Sequence, residues 1–169
     1  MELFAKPGVS GIIEKNVNEI DCILIQERYK KDAVAENGLL EIPAGKIREY
    51  ENVFDCLRRE IREETGLKLT EIEGEDRAVI ISSNGYKVLN YIPFSCSQNI
   101  EGYYPIMVQA FICRAEGELL DKSDESVNIR WMPLDELRSL INENPASLYP
   151  MHVETIRKYL SYRLSRKND

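Results

Sequence analysis

The chain has 169 residues, with 43% apolar and 30% charged side chains, the proportions of an ordinary globular protein able to bury its own core. Its formal net charge of −7 argues against a general polyanion-binding surface, because affinity for nucleic acid comes largely from Lys and Arg on phosphates. It does not exclude a nucleotide substrate, whose charge a bound cation can meet locally. Length and even composition predict one domain over residues 1–169, with no repeat or low-complexity segment.

In chain order, Val9 to Ile13 alternates weakly and is a strand candidate, and Asp21 to Gln26 is a stronger one, rich in branched apolar residues. Tyr29 to Gly38 reads as a polar loop. Leu39 to Ile42 reads as a short strand stopped by Pro43, and Pro43-Ala44-Gly45 opens an irregular loop. A helix is expected from near Asn52 to a stop at Gly66. Strands are expected at Arg77–Ser82 and Tyr86–Ile92, joined through the tight-turn signal Ser83-Asn84-Gly85. Pro105 to Cys113 is the longest apolar strand candidate, and Val127 to Met132 is another. Leu134 to Asn142 and His152 to Arg163 read as helices. Strands, helix, strands and terminal helices without βαβ alternation predict an α+β fold with a mixed sheet.

The first helix carries the chemistry. Val53, Phe54, Leu57 and Ile61 share one side, and at about 100° per residue Glu60, Glu63 and Glu64 fall in an arc of roughly 100° directly beside them. Three carboxylates within a turn repel one another unless a cation neutralises them, and hard oxygen ligands suit Mg²⁺ or Mn²⁺. Taken alone, such a run is more often a solvated face with local ion pairs, here to Arg58, Arg59 and Arg62.

The surrounding spacing decides between these readings. Gly45, Glu51, Arg59, Glu60, Ile61, Glu63, Glu64, Gly66 and Leu67 match every fixed position of the Nudix box, which spans residues 45–67. The chain therefore resembles a Nudix hydrolase. That resemblance implies an α/β/α sandwich, with Mg²⁺ or Mn²⁺ held by some or all of Glu60, Glu63 and Glu64 and by the Ala44 carbonyl. It also implies a supporting pair of Glu51 with Arg59 beside Gly45, and attack of water on a diphosphate. The general base is left open between the box glutamates Glu60 and Glu64 and the later loop acids Glu125 and Glu101. Leu-Leu-Glu-Ile-Pro-Ala-Gly-Lys-Ile (Leu39 to Ile47) resembles the ADP-ribose and nucleotide-sugar branch, and Gln-Glu-Arg-Tyr (Gln26 to Tyr29) resembles the Arg-bearing end of its second strand, which makes Arg28 a candidate phosphate or substrate contact. The proline that branch carries some 15 residues after the box is absent; Ser82 and Ser83 occupy the window, and Pro93 comes later. Leu57 is larger than the alanine common at its position.

The expected ligand is thus a small nucleoside diphosphate derivative, ADP-ribose-like first. The alternatives are a triphosphate or dinucleoside polyphosphate hydrolase, or a non-catalytic nucleotide-binding domain. A homodimer is implied by analogy with the ADP-ribose branch. Cys22, Cys56, Cys96 and Cys113 show no paired spacing and read as reduced thiols. No signal peptide and no membrane span are apparent, so a cytoplasmic protein is expected. The basic cluster Arg157, Lys158, Arg163, Arg166 and Lys167 reads as a solvated helix face and tail. His152 reads as capping or packing the last helix, Trp131 as packing, and Tyr103 and Tyr104 as possible base-stacking residues.

Overall fold

The computed structural model describes residues 2–31 and 34–167. Its elements run β1 (Lys6–Val17), β2 (Ile20–Arg28), β3 (Leu40–Glu41), β4 (Ala44–Lys46), α1 (Val53–Thr65), β5 (Lys68–Ile72), β6 (Val79–Ser83), β7 (Tyr86–Asn90), β8 (Ser95–Gln98), β9 (Ile106–Glu116), β10 (Ser126–Pro133), α2 (Leu134–Glu143) and α3 (Pro150–Lys167).

The main sheet is mixed, in the order β10-β2-β1-β9-β5, with β1 and β9 parallel and the other pairs antiparallel. One face carries α1 over Val9, Ile13, Leu24 and Phe111; the other carries α2 and α3 over Ile12, Ile23, Ile25 and Ile112. The α+β sandwich expected from the element order is the one observed.

Covering both faces explains why β1 is hard to read. Val9, Ser10, Ile12 and Ile13 are all fully buried, so the polar-apolar alternation of a one-sided strand is lost. β1, not the strand at Ile106, is the longest in the sheet at 12 residues. Gly11 on β1 lies under the helix: a Cβ there would meet Ile61 Cδ1 at 3.2 Å and Leu57 Cδ1 at 3.6 Å. The bulk of Leu57 is thus seated over a residue with no side chain.

β1 and β2 pair only at their joined ends, Glu14 to Val17 against Ile20 to Ile23. Beyond that they diverge. β4 pairs with the other end of β1, and β3 with the far end of β2. The turn Ile42-Pro43 between β3 and β4 sits in this fork, where the Pro43 carbonyl accepts from Gly11 N at 3.0 Å. The stretch expected to be irregular after Pro43 is therefore a short strand wedged into the sheet, next to the start of α1.

α1 starts where its sequence signals say. Asn52 is the N-cap, its side chain accepting from Phe54 N at 2.9 Å, and Gly66 closes the helix at φ +80° with its N–H on the Arg62 carbonyl. The hairpin β6–β7 turns at Asn84 and Gly85, both at positive φ, as the Asn-Gly signal requires. It forms a separate two-stranded sheet, and every β6 residue is exposed. β5 and β8 lack a clear apolar pattern and are sheet strands nonetheless, paired on the same edge of β9. None of the described helices is long and apolar enough to cross a membrane. The last-helix cations are engaged locally: Arg157 with Glu154, Lys158 with the Phe94 carbonyl, Arg163 with Glu14 and Asp21, and Arg166 with Tyr162; the Lys167 side chain lies outside the described residues.

Candidate active site

A cleft of about 340 Å³ opens at the fork of β1 and β2. Its wall includes Ala44, Gly45, Glu60 and Glu63 from the segment read as the site. Gly45 is there for space. A Cβ at that position would fall 1.9 Å from Glu60 Cδ, so only glycine leaves room for the Glu60 carboxylate.

Arg59 binds Glu51 through two parallel bonds, Nε to Oε1 at 2.7 Å and Nη2 to Oε2 at 2.9 Å. Its Nη1 donates to Glu60 Oε1 at 2.5 Å, and Nη2 also reaches the Lys46 carbonyl at 3.2 Å. Glu51 Oε2 accepts from Arg48 N at 2.9 Å. One guanidinium thus ties the loop before α1 to the helix and orients Glu60. The Arg59 hydrogen bonds hold the Glu51 carboxyl down at about 2. Burial pushes the Glu60 carboxyl up, against the pull of Arg59.

Glu64 is placed differently. It is 4% exposed and lies behind the wall, where its Oε2 accepts from Gln26 Nε2 at 2.7 Å and Ala44 N at 3.2 Å. Burial, and then the negative charge of Glu41, push its carboxyl up to about 8. Ala44, expected to offer its carbonyl, also uses its N–H to hold this acid.

The candidate contact Arg28 is not a free cation. It is 8% exposed; Nη1 donates to Glu41 at 2.5 Å, Nη2 donates to Glu36 at 2.8 Å, and the guanidinium lies 4.0 Å from the Tyr149 ring centre. It contributes part of the cleft wall while two carboxylates engage it. Glu125 also lines the cleft and pairs with Lys30 at 2.5 Å. Glu101 does not reach it: it is exposed on the turn at Asn99, whose side chain accepts from the Glu101 N–H. Of the two loop acids read as candidate bases, Glu125 lines the cleft and Glu101 does not.

Several lining residues were not singled out as site residues from the sequence. Lys46 and Arg48 follow Gly45 directly, while Lys30 and Tyr149 reach the cleft from parts of the chain distant from the box. Lys6 and Lys46 stand 4.9 and 5.3 Å from the Tyr104 ring, while Tyr103 lies on the rim of an adjoining cavity of about 620 Å³. His152 is 1% exposed, its Nδ1 accepting from Ile42 N at 3.3 Å, and burial followed by the charges of Arg28 and Lys30 takes it down to about 3. It packs the start of α3 and stays neutral.

Among the described residues no three Asp, Glu, His or Cys side chains converge on one point; Glu60 is bonded to Arg59 and Glu64 to Gln26. The donor chemistry nevertheless suits a hard divalent cation: Glu60 and Glu63, on one helix turn, line the cleft, and Gly45 clears space for the Glu60 carboxylate.

The profile of the NUDIX domain matches residues 5–152. The chain belongs to the Nudix family. Its fold is similar to that of the NUDIX domain of Shewanella oneidensis NrtR complexed with ADP ribose, at 14% identity and TM-score 0.66, covering 97% of this chain and 90% of that one. It is also similar to a Caenorhabditis elegans Ap4A hydrolase, at 12% identity and TM-score 0.59 over 95% and 98% of the two chains. A MutT Nudix hydrolase from Burkholderia pseudomallei matches at 21% identity and TM-score 0.54 over 78% and 84%. No curated protein sequence matches the chain significantly. The protein is a Nudix hydrolase, and the family generally uses divalent metal ions.

Proposed function

We propose that this Nudix hydrolase is an Mg²⁺- or Mn²⁺-dependent pyrophosphohydrolase, working as a single domain over residues 1–169. In this reading it cleaves the diphosphate of a nucleoside diphosphate linked to a second group, with ADP-ribose-like compounds first. The observation that carries the reading is the cleft wall, where Glu60 and Glu63 face the cations Arg28, Lys30, Lys46, Arg48 and Arg59. Arg28, Lys30 and Arg59 are held there by carboxylates, so Lys46 and Arg48 are the cations this reading assigns to the diphosphate.

Glu60, Glu63, Glu64 and the Ala44 carbonyl are the residues that would hold the ion. Bound there, a divalent cation supplies neutralisation of the diphosphate oxygens and acidification of water. Lys46 and Arg48 grip the phosphates, and Arg59 keeps Glu60 aimed into the cleft. Glu125, which lines the cleft and pairs with Lys30, is in this reading a candidate to accept the proton of the attacking water; Glu60 and Glu64 remain the box alternatives for that role. The Glu-Ile-Pro-Ala-Gly-Lys flank and the ADP-ribose-bound neighbour support the substrate order. A dinucleoside polyphosphate is the second reading, favoured by the larger adjoining cavity with Tyr103, Tyr104 and Tyr149.

A chromatographic screen for the nucleotide product, over ADP-ribose, nucleotide sugars, nucleoside triphosphates and dinucleoside polyphosphates, each with and without Mg²⁺, tests this. Metal-dependent turnover fastest with ADP-ribose-like compounds is expected. Preference for a triphosphate or dinucleoside polyphosphate would replace the substrate reading, and turnover of none would favour a binding domain. Four unpaired thiols suit a reducing, cytoplasmic setting; sedimentation reads the expected homodimer.

A further inference from the structure

Gln26 lies at the centre of a buried polar chain with Glu64, Glu41 and Arg28. It faces Glu41 directly across the β2–β3 pair, and Arg28, two residues along β2, points to the same face. Its side-chain nitrogen donates to Glu64 Oε2 at 2.7 Å and to Glu41 Oε1 at 3.3 Å. Glu41 in turn accepts from Arg28 at 2.5 Å. Gln26 is fully buried and its own carbonyl oxygen has no hydrogen-bond partner.

This arrangement admits one orientation of the amide. Flipping it would aim the carbonyl oxygen at two carboxyl groups and lose both bonds. Two donors, Gln26 Nε2 and Ala44 N, hold a single oxygen of Glu64, and no described residue bonds the other oxygen. A residue chosen for packing alone would be apolar, because an amide buried with one end unpaired costs stability. We propose that Gln26 is a positioning residue for the hydrolytic reaction. Its amide fixes the rotamer of Glu64, and Glu41, tethered to Arg28, fixes the amide. The inference rests on Glu64 belonging to the metal-binding acids proposed above.

Gln26→Leu removes both bonds at similar volume. The variant is compared with wild type by steady-state kinetics on the best substrate, Mn²⁺ affinity by electron paramagnetic resonance, and thermal unfolding. Loss of such an orienting partner is expected to lower kcat and weaken Mn²⁺ binding by about 10- to 100-fold. KM for the nucleotide should stay within about threefold, because Gln26 is walled off from the cleft. If Gln26→Leu does not fold, Gln26→Asn keeps the polar chemistry but shortens the amide out of reach of Glu64, and the same pattern is expected. A folded variant with kcat and Mn²⁺ affinity within about twofold of wild type overturns the proposal, whatever its unfolding temperature. Glu64→Gln, run alongside, separates the two levels. If it is inactive while the Gln26 variants are normal, only the positioning role falls. If it keeps full activity, the assignment of Glu64 falls and the positioning role with it.

Discussion

Gly45 lies directly beneath Glu60, so close that a methyl group on its Cα would overlap the Glu60 carboxyl carbon. The clash falls on the end of a flexible side chain and not on backbone, so Gly45→Ala should fold and displace the acid. We expect the unfolding temperature to change by no more than a few degrees while kcat falls by about 100-fold or more. Comparable activity in Gly45→Ala would show that the position of Glu60 is not critical.

The Glu51–Arg59 pair is bidentate and mostly shielded, with both side chains under a fifth exposed. Lysine at this position keeps the charge but cannot make two parallel bonds. Arg59→Lys should destabilise the fold by about 1–3 kcal/mol and reduce activity as Glu60 loses its Nη1 contact. Urea unfolding reads the first effect and kcat the second; an unchanged midpoint would mean that the pair is only a surface contact.

Two buried groups give stability opposite slopes with pH. His152 drops from 6.5 to about 3, so its contribution is full above pH 6.5 and is lost as pH falls toward 3, at about 1.4 kcal/mol per unit. Glu64 rises from 4.5 to about 8, so its contribution is full below pH 4.5 and is lost as pH rises toward 8. The slopes oppose each other between pH 4.5 and 6.5, and maximum stability is expected in that window with EDTA present. Urea midpoints from pH 3.5 to 8.5 measure this. His152→Gln should flatten the acid limb, leaving the loss that the depressed Glu51 carboxyl adds there. A stability that climbs from pH 6.5 to 8 in EDTA would contradict the placement of Glu64.

Divalent cations should stabilise the folded state. At a hundredfold excess over Kd the gain is about 2.7 kcal/mol, or roughly 5–10 °C for a domain of this size. Thermal unfolding with Mg²⁺, with Mn²⁺ and after chelation measures it, and Glu60→Gln should blunt the shift. No shift with either ion would count against the whole site.

The helix that carries the acids was fully legible, because its cap at Asn52, its apolar stripe and its stop at Gly66 are all local signals. So was the Asn84-Gly85 turn. β1 was only half legible, since burial on both faces erases alternation, and β4 is too short to show any pattern. Arg28 was found but its engagement was not: Glu36 and Glu41 reach it through a turn and a cross-strand pair that only the tertiary structure brings together. Gln26, Lys30, Tyr149 and His152 join the site from β2, a loop and α3, over separations that no window on the sequence spans. Glu101 and Glu125 looked equivalent as loop acids, and only the course of their loops separates them.

The parallel pairing of β1 with β9 sets the order in which the protein can assemble. Ile12 partners Ile112, about 100 positions further along the chain, so a ribosome must emit most of the protein before the centre of the sheet can close. β1 and β2 can associate early, and α1 can nucleate locally from its caps, but the floor beneath the acids is finished only when β9 arrives. Closing so long a loop makes for slow folding. Chains interrupted before β9 would carry every residue of the acid-bearing helix and still lack the cleft.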